Sequence, residues 1–163
     1  MTRPVYCAIF MGQGGVLFSS PMYGIARAVR KIGATADVYR YVDIAVAQAR
    51  IDWFHHYGRA IAGIGYSLGT STLTYLQRNR PFDLVCCIAM SDLERVWPIN
   101  HDMTKRSVLW HGSEIDFLSG QGEQLGFDLI HEVPSVPVLG HLVMPMLPSV
   151  VNGIVEEVQR IQN

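Results

Sequence analysis

The stretch "AIAGIGYSLGTSTLTYL", residues 60–76, decides how the rest of the chain is read. Its first half, a run of small and apolar residues, reads with Arg59 before it as a strand from Arg59 to Tyr66. Its second half reads as a helix from Leu68 to Arg78, stopped before Pro81. Gly65-Tyr66-Ser67-Leu68-Gly69 lies across the junction. A strand running straight into a helix forces the serine between them into a strained backbone conformation and lifts its hydroxyl above the sheet. Glycines two before and two after it leave room where strand and helix pass close together. The bland alternative is a serine in an ordinary glycine-rich loop.

Outward from this junction, apolar strand-like runs alternate with helical periodicity. Val5–Met11 is the expected first strand. Ser20-Pro21 reads as a helix start, a capping residue followed by proline at the first helical position. Met22, Ile25, Ala26, Val29 and Ile32 continue that helix, and Arg30, Lys31 and Gly33 mark its end. A strand at Ala36–Tyr41 precedes a helix capped by Asp43, with the stripe Ile44, Ala47, Ile51 and Phe54 and a stop at Gly58. Phe82–Met90 is a continuous apolar strand, Ser107–Trp110 another, and Leu129–Val138 holds the last, interrupted by Pro134 and Pro137. Val150, Val151, Ile154, Val155, Val158 and Ile161 form the stripe of a final helix. Such alternation predicts βαβ units. The expected fold is α/β: one domain spanning 1–163, a three-layer sandwich whose mostly parallel central sheet has helices on both faces. Functional residues then belong in the loops beyond the carboxyl ends of the strands.

Composition agrees and excludes several classes. The 163 residues are 49% hydrophobic and only 17% charged, as suits a sheet covered on both faces. A formal net charge of −1, without runs of like charge, leaves no electrostatic footprint for nucleic acid or an anionic membrane. No apolar run approaches the ~20 residues of a membrane span. The apolar N-terminal stretch lacks a small-x-small cleavage site and looks like the first core strand, so it is read as mature protein. Cys7, Cys86 and Cys87 sit in apolar segments without a paired spacing. They read as buried hydrophobes in a reducing, cytoplasmic setting rather than disulfides or metal ligands.

Two further features could serve Ser67. Met11-Gly12-Gln13-Gly14-Gly15, directly after the first strand, can aim a backbone N–H at the same point. As a dinucleotide loop it lacks the third glycine, because position 17 is Leu17, and no Gly-Lys-Ser/Thr follows to make a phosphate loop. His141, in "VLGHLVMPMLPSVV", falls beyond the final strand, where the sheet would deliver it beside Ser67. The other histidines are placed less well: His55 and His56 at a helix end, His101 in a loop, His111 at a strand end, His131 within a strand. No histidine or cysteine spacing suggests a metal, and no cofactor is expected.

With these residues in view, the chain resembles the small, lid-less α/β-hydrolases. The resemblance runs from "FMGQGG" through "GYSLG" and "LWHGSEID" to "LGHLVMP" and covers nearly the whole length. It implies a serine hydrolase with nucleophile, acid and base in that chain order: Ser67, a carboxylate, then His141. It also implies backbone N–H donors at Leu68 and Gln13 for the oxyanion. The family's first loop commonly starts His-Gly; here Met11-Gly12 stands there. For the acid, Asp116 is favoured, with Glu114 and Asp92 as alternatives, since "HGSEID" places Asp one residue later than the family's usual spacing. The short connection from Ser91 to Arg106 leaves little length for a lid. It suggests an open, shallow site, with Tyr66, Trp97, Ile99 and Met103 as substrate-facing side chains. The expected substrate is a small or acyl ester or a thioester. The alternatives are a non-catalytic binding or scaffold protein that retains this fold, and a nucleotide- or flavin-binding domain using Gly12–Gly15.

Overall fold

A computed structural model describes residues 2–13, 15–90, 95–112, 125–134 and 140–163. In chain order the elements are β1 (Val5–Met11), α1 (Gly15–Lys31), β2 (Thr35–Arg40), α2 (Ile44–His56), β3 (Ala60–Tyr66), α3 (Leu68–Leu76) and β4 (Leu84–Ile88). There follow β5 (Ser107–Gly112), β6 (Leu129–Val133), the short α4 (Gly140–Val143), a 3₁₀ turn at Met144–Met146 and α5 (Pro148–Gln162). The six strands form one sheet in the order β2-β1-β3-β4-β5-β6, every neighbouring pair parallel.

The sheet is covered on both faces. Val5, Cys7, Ile9 and Met11 of β1 point into one core with α1 and α5. Tyr6, Ala8 and Phe10 point into the other with α2 and α3. The apolar run in β1 is therefore continuous because both alternating sets of side chains are buried. Burying each large side chain of this kind contributes about 1.5–3 kcal/mol.

Several boundaries and one cap differ from expectation, and β4 is shorter at both ends than the expected Phe82–Met90. α1 begins at Gly15, so Pro21 lies inside it rather than at its start. The bond that proline forgoes would run to the carbonyl of Leu17, near the helix N-terminus, so one bond is lost and the helix continues. Asp43 does precede α2 but makes no side-chain cap. Its carboxylate instead accepts from the Arg40 backbone N–H at 3.1 Å and from the Arg40 guanidinium at 2.7 Å. β6 ends at Val133, just before Pro134, which cannot donate to the ladder.

Chain direction sets the location of a site. From β1 the chain passes through α1 to β2 on one side. From β3 it passes through α3 to β4 on the other. The order thus reverses between β1 and β3, and a crevice opens beyond their carboxyl ends, where ligands bind in open α/β sheets.

Asp83 ties the opposite end of the sheet together. It accepts from the Ile61 N–H at 2.9 Å, Arg3 at 2.9 Å and Lys105 at 2.7 Å. Burial pushes its pKa up, but the Lys105, Ile61 and Arg3 contacts outweigh that and hold it below the ordinary carboxylate value. Glu157 on α5 is likewise held low, chiefly by hydrogen bonding from Arg106. Groups with depressed native pKa values stabilise the fold above the unfolded-state pKa of about 4 and lose that contribution as pH falls through the native values. The melting temperature is therefore expected to fall below about pH 4, and Asp83→Asn to cost about 1–3 kcal/mol at pH 7 while blunting that acid limb. A pH 3–7 melting series on both proteins checks this; superimposable acid limbs would contradict it.

Candidate active site

Ser67 occupies the residue between β3 and α3 with φ 52° and ψ −124°. It is one of two non-glycine residues with positive φ among those described, the other being Ala89. Such a conformation costs an L-residue about 1–3 kcal/mol and persists only where the surroundings enforce it. Here they do. The Ser67 N–H donates to the Ile88 carbonyl at 3.0 Å, locking it to the end of β4. The Ser67 carbonyl accepts from the Thr70 N–H at 2.9 Å and the Thr70 hydroxyl at 2.6 Å. The side chain remains partly exposed.

The glycines around it answer to space. A Cβ at Gly65 would stand 2.9 Å from both the Gly69 carbonyl oxygen and the Thr70 Cα. One at Gly69 would stand 2.3 Å from the Phe10 carbonyl oxygen. Both glycines are required by the close passage of α3 over β1 and β3. Gly12 is tied to Ser67 itself: a Cβ there would lie 2.9 Å from the Ser67 Cβ and 3.4 Å from its Oγ. The loop after β1 therefore lies against the serine, and Gln13, exposed, follows that contact. Leu68 is the first residue of α3, whose initial N–H groups have no intrahelical acceptor.

No family model matches the chain, and no curated protein matches it by sequence. Solved structures do match. A lid-less α/β serine hydrolase from Xanthomonas campestris superposes with a TM-score of 0.73 at 14% identity, over 98% of this chain and 83% of that one. A protein from X. campestris pv. campestris, classed with the α/β hydrolase superfamily, gives 0.67 at 13% identity, over 97% and 99%. A Thermoplasma acidophilum protein assigned as a CIB-like hydrolase gives 0.57 at 15%, over 98% and 87%. The chain has the α/β-hydrolase fold.

In this α/β-hydrolase fold the serine, the Gly12–Gln13 loop and Leu68 meet at the β1/β3 crevice. His141 lies on α4, after the last strand, and its side chain lies outside what is described. The three candidate acids, Asp116, Glu114 and Asp92, also lie outside the described residues. Two of the other histidines make contacts elsewhere. His101 bonds the Gly126 carbonyl at 2.9 Å, before β6. His131 stacks on Trp110 at 5.3 Å along the edge strand. Among the described residues no group of three metal-type ligands occurs, and no helix is long and apolar enough to cross a membrane.

The cysteines do not compete with Ser67 as nucleophiles. Cys87 pairs with Gly65 in the sheet, yet Cys7, Cys86 and Cys87 are fully buried. Desolvation pushes all three thiols up, Cys7 to about 12, so each stays protonated.

The expected substrate wall is rearranged. Tyr66 is 2% exposed and packs into the core, because it is the last residue of a strand buried on both faces. Met103 lies at the opposite end of the sheet, where its carbonyl accepts from the Phe82 N–H before β4. Ile99 is buried in the α2/α3 core. The segment carrying Trp97, Ile99 and Met103 runs down alongside α3, held by Trp97 N–H to Thr74 Oγ1 at 3.2 Å and Asn100 N–H to Gln77 Oε1 at 2.7 Å. Trp97 alone of the three remains at a surface groove, beside Tyr75.

Proposed function

We propose that this chain is a serine hydrolase acting on a carboxylic ester or thioester through an acyl-enzyme on Ser67. The observation that carries the reading is the Ser67 backbone: a positive φ at a strand-to-helix junction, fixed by hydrogen bonds at both its N–H and its carbonyl. Strain of this kind is maintained where it positions a group for chemistry. The lid-less serine hydrolase among the solved structures lends support from the same fold.

In the proposed reaction the Ser67 hydroxyl attacks the acyl carbon while His141 takes its proton. The oxyanion is met by the backbone N–H groups of Leu68 and Gln13, and the positive end of α3 adds to their field. His141 then protonates the departing alcohol or thiol. Water, deprotonated by the same histidine, hydrolyses the acyl-enzyme. Asp116, with Glu114 and Asp92 as alternatives, orients His141 and stabilises its imidazolium. The nucleotide-site reading of Gly12 loses its motive, since contact with Ser67 already accounts for a glycine there.

A fluorophosphonate probe is expected to label the protein on a single peptide containing Ser67. Ser67→Ala should abolish that labelling, and His141→Ala should slow it by orders of magnitude. Equal labelling of wild type and Ser67→Ala would overturn the proposal.

A further inference from the structure

A groove of about 500 Å³ runs between the start of α2 and the flank of α3. That volume lies in the range of small-molecule sites. Its walls are mostly apolar: Tyr41, Val42 and Ile44 on one side, Tyr75 and Trp97 on the other. Val42 is 56% exposed and Tyr75 42%, a large apolar exposure for two adjacent walls.

The groove begins close to Ser67. Ser71, in its wall, lies one turn further along α3, about 6 Å along the axis. On the other side, Arg40 at the end of β2 is in register with Met11, whose neighbour Gly12 lies against Ser67.

Two observations point to a ligand. Ser71 is 7% exposed, and its hydroxyl is the one buried side-chain polar atom without a hydrogen-bond partner among the described residues. A buried hydroxyl left unpaired opposes folding unless something else is gained. Trp97, meanwhile, is held between two guanidinium groups, Arg95 at 3.8 Å and Arg78 at 4.0 Å from its ring centre. Neither arginine pairs with a carboxylate among the described residues, and Arg95 lines the groove. Asp43, next to the groove, is already neutralised by Arg40. Among the described residues the mouth is therefore cationic, in a chain whose net charge is −1.

We infer that the α2–α3 groove is a substrate subsite for an apolar chain ending in an anionic group, with Ser71 as the polar contact inside and Arg95 pairing with the anion. This deepens the hydrolase reading and rests on Ser67 as the nucleophile. The favoured substrate class is an ester of a medium-length chain that bears a carboxylate at its far end.

The test compares p-nitrophenyl acetate with the p-nitrophenyl monoester of octanedioic acid. Wild type should prefer the monoester in kcat/KM. Arg95→Gln and Ser71→Ala should each reduce that preference, the ratio of the two kcat/KM values, about five- to tenfold. The melting temperature of Ser71→Ala should be equal to wild type or higher, because its hydroxyl has no bond to lose. Calorimetry of octanedioate with Ser67→Ala separates the two readings. If octanedioate binds, and Arg95→Gln in that background weakens it, the groove stands even when no ester is cleaved. If Ser67-dependent ester cleavage is found but neither variant alters the preference, the groove proposal falls and the hydrolase reading survives.

Discussion

Replacing Ser67 by alanine is expected to lower ester turnover by about 10⁵-fold while leaving the fold in place. Alanine keeps the Cβ that packs on Gly12, and the bonds to Ile88 and Thr70 involve only the backbone of residue 67. What disappears is the attacking oxygen. Turnover of p-nitrophenyl acetate with matched circular dichroism measures both halves, and undiminished activity in the variant would remove Ser67 from the mechanism. Ser67→Gly sharpens the argument. It removes the same oxygen but also the Cβ that makes φ 52° costly. Relief of about 1 kcal/mol should make the glycine variant melt roughly 2–4 °C above the alanine variant for a chain of this size. Identical melting temperatures would mean that no strain is stored at this residue. A serine retained at a net cost to stability is what a nucleophile on a tight turn predicts.

Most of the fold was legible because periodicity and burial agree. Val5–Met11 reads as the first strand and is one, and the stripe Ile44, Ala47, Ile51 and Phe54 marks the inner face of α2. The start of α1 was not legible. Ser20-Pro21 is a sound helix-start signal, but a proline early in a helix costs only one bond and does not forbid a turn before it. In the site, the elbow was readable from five residues, since Gly65 and Gly69 are demanded by space alone. Gly12 was visible as part of a glycine loop, but its contact with Ser67 depends on how β1 and β3 lie side by side. Met103 and Ile99 were misplaced for a related reason: loop length does not disclose loop direction. Gln77 fixes that direction through its side chain, donating to Pro98 and accepting from Asn100, which draws the segment away from the crevice. Thr70 was missed as the residue holding the Ser67 carbonyl, although its place three residues into the turn is a capping position. The Ser71 hydroxyl carries no sequence signal, because a lost partner is visible only in three dimensions.

Gly69→Ala is expected to destabilise the protein by about 3 kcal/mol or more, at the upper end of what overpacking costs in a core. The added methyl would lie 2.3 Å from the Phe10 carbonyl oxygen, 2.7 Å from its carbon and 3.0 Å from the Met11 carbonyl oxygen. These are backbone atoms of β1, which is bonded to β2 on one side and β3 on the other, so no side-chain rotation makes room. The alternative is for α3 to lift. That would pull Leu73 away from Gly63, where α3 packs so closely that a Cβ would be 2.2 Å from the Leu73 Cδ1, and would shift the carbonyl of Ser67 off Thr70. Against a total stability of about 5–15 kcal/mol, such a loss is large. Gly24 supplies the contrast. It is exposed on α1, a Cβ there meets nothing within 4 Å, and alanine is the better helix former by about 1 kcal/mol. Gly24→Ala should therefore raise the denaturation midpoint while Gly69→Ala lowers it. Urea unfolding of the pair decides the matter: two shifts of the same sign would mean that glycine at position 69 is a matter of helix propensity, whereas opposite signs tie it to the passage of α3 over β1 that holds Ser67 upright.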